Sequence, residues 1–128
     1  MSRRPYVRGM KRSWWLRQPR YLAYMVRELT SLFVALYSVF LVIALARLAQ
    51  GPVAWDAFLA AVRSPCGIAF QLICLAFAVY HSVTWFAVTP KAMPLMLKGE
   101  PVAAGVIVGA HYLMWLAISL VVVIAASV

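Results

Sequence analysis

Acidic side chains are scarce in this sequence: its 128 residues include three Asp and Glu against twelve Lys and Arg. Two later stretches, residues 66–89 and 102–127, contain no charged side chain at all. Apolar residues make up 66 % of the chain, whereas soluble domains average about half. The lack of charge therefore excludes an ordinary soluble domain and indicates a membrane protein.

Three apolar stretches are long enough to cross a bilayer, whose hydrocarbon core of about 30 Å needs about 20 helical residues. They lie at about 28–47, 66–89 and 102–127. We therefore predict an all-α membrane protein with three transmembrane helices. Residues 28–127 would form a single membrane domain, preceded by a basic, aromatic interfacial segment at 1–27. The sequence has no internal repeat, which argues against an inverted-repeat transporter.

The positive charges are distributed unevenly. Eight of the twelve cations lie within residues 1–27, and Lys91 and Lys98 lie between the second and third spans. Only Arg47 and Arg63 occupy the loop between the first and second spans. The positive-inside rule predicts a cytoplasmic N-terminus and an outer C-terminus. A nucleic-acid-binding function is not expected, because it needs a soluble basic module for which the chain has no room.

Cysteine is also scarce, and its spacing excludes two kinds of site. Cys66 and Cys74 lie eight residues apart on one predicted helix, or about 12 Å along its axis, which is too far for a disulfide. The pair matches no zinc or iron–sulfur spacing. The two cysteines are therefore expected to hold no metal.

The loops between the spans contain residues that start or end helices. Gly51-Pro52 and Ser64-Pro65 bracket a predicted amphipathic helix at 53–62, with Trp55 and Phe58 on its apolar side. Three prolines and a glycine in the 90–101 loop are expected to stop both neighbouring helices: Pro90, Pro94, Gly99 and Pro101.

Two further features concern contacts between helices. Gly105 and Gly109 form a GxxxG pattern that would let another helix approach closely. Gln71 is expected to form a hydrogen bond between helices.

Polar chemistry at membrane depth is concentrated at one predicted membrane face. Arg27 and Glu28 lie where the first span begins, and His81 and Trp85 lie near the end of the second, four residues apart on one helix face. The predicted topology places all four at the cytoplasmic face, where they can converge. A carboxylate, an imidazole and an indole suit a quinone headgroup, because a quinol releases two protons on oxidation and its oxygens need hydrogen-bond partners.

Other interpretations of these residues stay open. Arg27 and Glu28 could be an ion pair that ends the span, while His81 could donate to a backbone carbonyl and Trp85 could be an interfacial aromatic residue. His81 and His111 could instead ligate a haem. If the glycine face of the third span packs inward, however, His111 points away from the other helices.

Four segments together resemble the C subunit of the bacterial quinol:fumarate reductase, in the same order and spacing over nearly the whole chain. The segments are "RPYVRGMKRSWW" (Arg4 to Trp15), "YMVRE" (Tyr24 to Glu28), "GPVAW" (Gly51 to Trp55) and "HSVTWFAVTPKA" (His81 to Ala92). The resemblance implies a non-catalytic, multi-pass membrane anchor in the bacterial inner membrane. Its partners would be a flavoprotein subunit, an iron–sulfur subunit and a second anchor, the D subunit.

By the same resemblance, Glu28 corresponds to the carboxylate of a menaquinol site shared with other subunits, and Arg27, His81 and Trp85 to its neighbours. The family's anchors usually lack haem, whereas His111 departs from the pattern. Two alternatives remain: a haem b-binding succinate dehydrogenase anchor, and a small non-redox membrane protein.

Overall fold

The computed structural model describes Gly9 and residues 11–127. Four α-helices and one two-stranded hairpin follow a 3₁₀ helix at Trp14–Arg17. They are, in order, α1 (Pro19–Ala49), α2 (Pro52–Arg63), α3 (Pro65–Ala92), β1 (Met96–Leu97), β2 (Glu100–Pro101) and α4 (Ala104–Ser127). Three cations of the predicted basic segment, Arg3, Arg4 and Arg8, lie outside the described residues.

Helices α1, α3 and α4 are long and apolar enough to cross a membrane, which confirms the predicted three-span fold. The prediction was wrong about where the first helix begins, since α1 starts at Pro19 rather than near residue 28. Arg27 precedes the predicted apolar stretch, but a charged side chain does not interrupt a helix. At 31 residues, α1 is about 46 Å long and exceeds the hydrocarbon thickness.

Prolines start the first three helices, because a proline at the first position fixes φ and lacks only an N–H that has no partner in the helix. Gly51 takes φ 100° between α1 and α2, in a region that favours glycine. Ser64 caps α3, its hydroxyl oxygen accepting from the Gly67 N–H at 3.1 Å. The predicted short helix at 53–62 is confirmed as α2.

Pro90 does not stop α3, contrary to the sequence prediction, and the helix continues to Ala92. Proline at this position removes only the hydrogen bond to the Phe86 carbonyl, and the last turn still closes through the Met93 N–H and Thr89 carbonyl at 2.8 Å. The hairpin that follows turns at Lys98 and Gly99, both with positive φ.

Aromatic side chains hold the helices together. Phe33 of α1 stacks on Phe77 of α3, with ring centroids 4.0 Å apart. Towards the other end of α1, Phe40 packs against Phe58 of α2 and Phe70 of α3. Few side chains are enclosed, and the buried ones among the described residues are Thr30, Cys74 and Ile107. Most apolar surface therefore faces the bilayer or other chains.

The close approach to glycine occurs at α3, where the sequence pattern did not predict it. A Cβ on Gly67 would meet the carbonyls of Ala61 and Val62, whereas a Cβ on Gly105 or Gly109 would meet nothing within 4 Å. Within this chain, the GxxxG face of α4 is therefore open.

Candidate functional site

The centre of the candidate site is a contact between α1 and α3. The Thr30 hydroxyl lies 3.0 Å from Nδ1 of His81, and it also donates to the Arg27 carbonyl one turn earlier in α1. Thr30 is 1 % exposed, and His81 is half-buried. The contact fixes the two helices at the same level, in the half of the bundle that contains the start of α1 and the end of α3.

The hydrogen-bond directions follow from the donors available. A carbonyl oxygen can only accept, so the single hydroxyl proton of Thr30 is committed to Arg27. Thr30 must then accept from His81, and Nδ1 must carry the proton. In the neutral ring, Nε2 therefore has a lone pair and can accept a proton or a hydrogen bond.

Trp85 and Arg27 flank this contact. The Trp85 ring lies 6.1 Å from the His81 ring, centroid to centroid, and its side chain is 37 % exposed. Arg27 is half-buried, and its Nε is enclosed without a hydrogen-bond partner among the described residues. An enclosed guanidinium N–H is costly unless it is paired, so a rotation of the Arg27 side chain towards an acceptor on a ligand or another chain would be favoured.

Glu28 is the predicted site residue that does not join the others within this chain. At 100° per residue, it lies about 160° around α1 from Thr30, on the side away from α3. Arg27 lies between them, about 60° from Thr30. Glu28 is half-buried, and in the part of the chain that the structure describes it forms no salt bridge with Arg27. The alternative of a local ion pair therefore has no support from the geometry.

Thr30 is a residue of the site that the sequence analysis missed. Threonine is common in membrane helices and its hydroxyl usually bonds within its own helix. The available signal was its position three residues after Arg27, which places both on neighbouring parts of one helix face. Its partner on α3 could not be identified without the packing.

His111 occupies a different interface. Its Nδ1 lies 2.7 Å from the Ile107 carbonyl of its own helix, and its ring packs against Phe86 of α3 at 5.3 Å. Tyr112 and Trp115 complete the aromatic contact with Phe86. The histidine face of α4 therefore packs inward and the glycine face does not, the reverse of the arrangement considered from the sequence.

The two histidines do not lie on one side of α3. Phe86, which contacts His111, is about 140° around α3 from His81, and His81 faces α1. A haem held between both rings would need them to face each other. Among the residues that the structure describes, no three His, Cys, Asp or Glu side chains cluster as metal ligands.

Gln71 confirms the prediction of a hydrogen bond between helices, since its amide donates to the Val62 carbonyl of α2 at 3.2 Å. It also lines an apolar groove of about 250 Å³ between α1 and α3, together with Tyr37 and Cys74. Cys74 is seven residues from His81, or about 10 Å along α3. None of the four predicted site residues lines this groove.

Comparison with known proteins gives the same family by two routes, a family model and individual relatives. The family model for the fumarate reductase C subunit matches residues 1–127. The fumarate reductase C subunit of Vibrio parahaemolyticus serotype O3:K6 is 40 % identical over 123 residues, covering 96 % of this chain and 97 % of the relative. The proteins of the same name from Vibrio vulnificus and Vibrio cholerae are 41 % and 42 % identical over the same coverage.

Proposed function

Because this chain belongs to the family of fumarate reductase C subunits, we propose that it docks the flavoprotein and iron–sulfur subunits to the bacterial inner membrane together with a second anchor, the D subunit. Membership makes it a membrane anchor subunit of an oxidoreductase complex, and its three long apolar helices make it a multi-pass protein. The proposed orientation has the N-terminus in the cytoplasm, where the soluble subunits would bind. The chain itself is proposed to be non-catalytic.

The second part of the proposal is a menaquinol site shared with the partner subunits. The observation that carries it is the unpaired polar group beside the Thr30–His81 contact: the Arg27 Nε is enclosed without a partner among the described residues. The Nε2 lone pair of His81 lies on the same level of the bundle. A quinol offers both oxygen acceptors and O–H donors, which complement these groups.

The arrangement supports a site on the Arg27 flank of α1. Arg27 lies between the α3-facing side of α1 and Glu28, so a ring on this flank can reach His81 at one edge and the Glu28 carboxylate at the other. In this proposal, Glu28 accepts a quinol proton. Arg27 orients the carboxylate or the ring, and Trp85 supplies an indole wall. The remaining walls would come from other subunits, since Glu28 lies about 160° around α1 from the contact with α3.

The test is a Glu28→Gln variant of the whole complex. Glutamine keeps the size of the side chain but cannot accept a proton, so we expect menaquinol oxidation to fall about 100-fold, the lower range for a lost general base. Fumarate reduction from an artificial donor should continue, because it bypasses the quinol. Both rates are measured on the same membranes.

Glu100→Gln is the matched control, because Glu100 lies on the exposed hairpin. It should leave both rates unchanged. Full menaquinol turnover in the Glu28→Gln complex would contradict the proposed role of the carboxylate.

A further inference from the structure

Thr30 differs from the other hydroxyl-bearing residues of the membrane helices. Ser38, Thr84 and Thr89 each donate to a carbonyl of their own helix. Among the serine and threonine hydroxyls of the described residues, Thr30 is the one that also forms a hydrogen bond with a side chain of another membrane-spanning helix. It is also the most deeply buried polar side chain in that part of the protein. With two partners, the hydroxyl uses its only proton and one of its two lone pairs.

The geometry points to Thr30 as a positioning residue that acts through His81. By accepting from Nδ1–H, Thr30 selects one tautomer of the imidazole and keeps Nε2 as the acceptor. The inference rests on the proposed menaquinol site. It adds a residue that does not touch the quinol and gives His81 a defined role.

Both protons and both electrons of the quinol have a destination. One quinol hydroxyl gives its proton to Nε2 of His81, and the resulting imidazolium still donates from Nδ1 to Thr30. The second hydroxyl gives its proton to Glu28. The two electrons released pass to the iron–sulfur subunit of the proposed complex, and the quinol becomes the quinone. Because Nδ1–H donates to Thr30 before and after the transfer, the ring does not need to reorient.

Thr30→Val tests the inference in the four-subunit complex. Valine keeps the branched shape but removes the hydroxyl, so the His81 ring loses its orienting partner. We expect kcat for menaquinol oxidation to fall about tenfold, since a misplaced catalytic group costs this much or more. KM should change by less than about twofold, because Thr30 does not touch the quinol. Thr30→Ser should restore most of the rate.

Two comparisons separate positioning from a structural role. Thr89→Val is the matched control, because this hydroxyl bonds only to the Trp85 carbonyl of its own helix, and it should leave the rate unchanged. In a His81→Gln complex, Thr30→Val should cause no further loss, because its effect runs through His81. Fumarate reduction from an artificial donor reports that each complex has assembled.

The outcomes distinguish the positioning role of Thr30 from the proposed menaquinol site on which it rests. Full menaquinol turnover in Thr30→Val, or an equal loss from Thr30→Val with and without His81, overturns the positioning role while leaving the site intact. Full turnover in both Glu28→Gln and His81→Gln overturns the proposed site, and the inference with it.

Discussion

His81 and His111 are the two histidines of the chain, and their environments differ in one decisive respect. Each uses Nδ1 in a hydrogen bond and each lies in an apolar helix. His81 bonds to a side chain of another helix, whereas His111 bonds to its own helix and packs among aromatic rings. Only the first arrangement connects a histidine to Arg27, through the Thr30 hydroxyl.

The difference extends to the regions around them. The unit formed by α1, α2 and α3 contains the Phe33–Phe77 stack, the Gln71 hydrogen bond and the close approach at Gly67. Helix α4 meets α3 through the aromatic group around Phe86, while its side chains at 120–124 are each more than half exposed. The side-chain hydrogen bonds between helices thus lie in the first unit, whereas α4 presents apolar surface to lipid or partners.

The largest expected difference is in catalysis. His81→Gln should lower menaquinol oxidation about 100-fold, because one of the two proposed proton acceptors is lost. His111→Gln should change the rate less than about twofold, since a hydrogen bond within the helix and aromatic packing have no part in proton transfer. Steady-state rates of the two complexes make the comparison. Equal losses would show that the two histidines are not functionally distinct.

A smaller difference is expected in stability. Gly67→Ala should lower the free energy of unfolding by about 1–2 kcal/mol, because the new Cβ would lie about 2.5 Å from the Val62 carbonyl oxygen and closer still to that of Ala61. Gly109→Ala should be neutral, since nothing lies within 4 Å of its Cβ position. Thermal unfolding of the two complexes in one detergent measures this. A comparable loss at Gly109 would mean that a partner packs on α4 there.

The smallest effect is expected at Gln71. Gln71→Leu removes the hydrogen bond to Val62, and such bonds between membrane helices contribute about 0.6 kcal/mol on average. Ser38→Ala is the control, because that hydroxyl bonds within α1 alone, and it should have a smaller effect. Denaturation of both variants under the same conditions provides the comparison. A larger loss from Ser38→Ala would contradict the importance of the α2–α3 contact.

Much of the fold could be predicted because hydropathy and the residues that start or end helices are local features of the sequence. Apolar length identified three spans, and Gly51-Pro52 and Ser64-Pro65 identified α2. The helix ends were harder to predict. Arg27 precedes the predicted first span but lies inside the helix α1. Pro90 lies so near the end of α3 that it removes one hydrogen bond without ending the helix.

The membrane depth of the candidate site residues could be predicted from the sequence. The face of α1 that meets α3 could not. Charge topology suggested one level for Arg27 and His81, and the Thr30 contact between their helices agrees with that level. Which face of α1 meets α3 depends on how side chains interlock along the whole interface. A rotation of α1 by about 160° would exchange Thr30 for Glu28 without altering a single hydropathy value.

The sequence by itself determined that this protein has three membrane-spanning helices, because transfer into lipid depends on composition and length. Only the tertiary structure decided that Thr30, and not Glu28, meets His81, and that His111 instead of the glycine pair faces α3. Those choices give Nδ1 of His81 a partner on α1 and place Glu28 about 160° around α1 from that contact. Both follow from helix packing, which joins residues that the sequence keeps 51 positions apart.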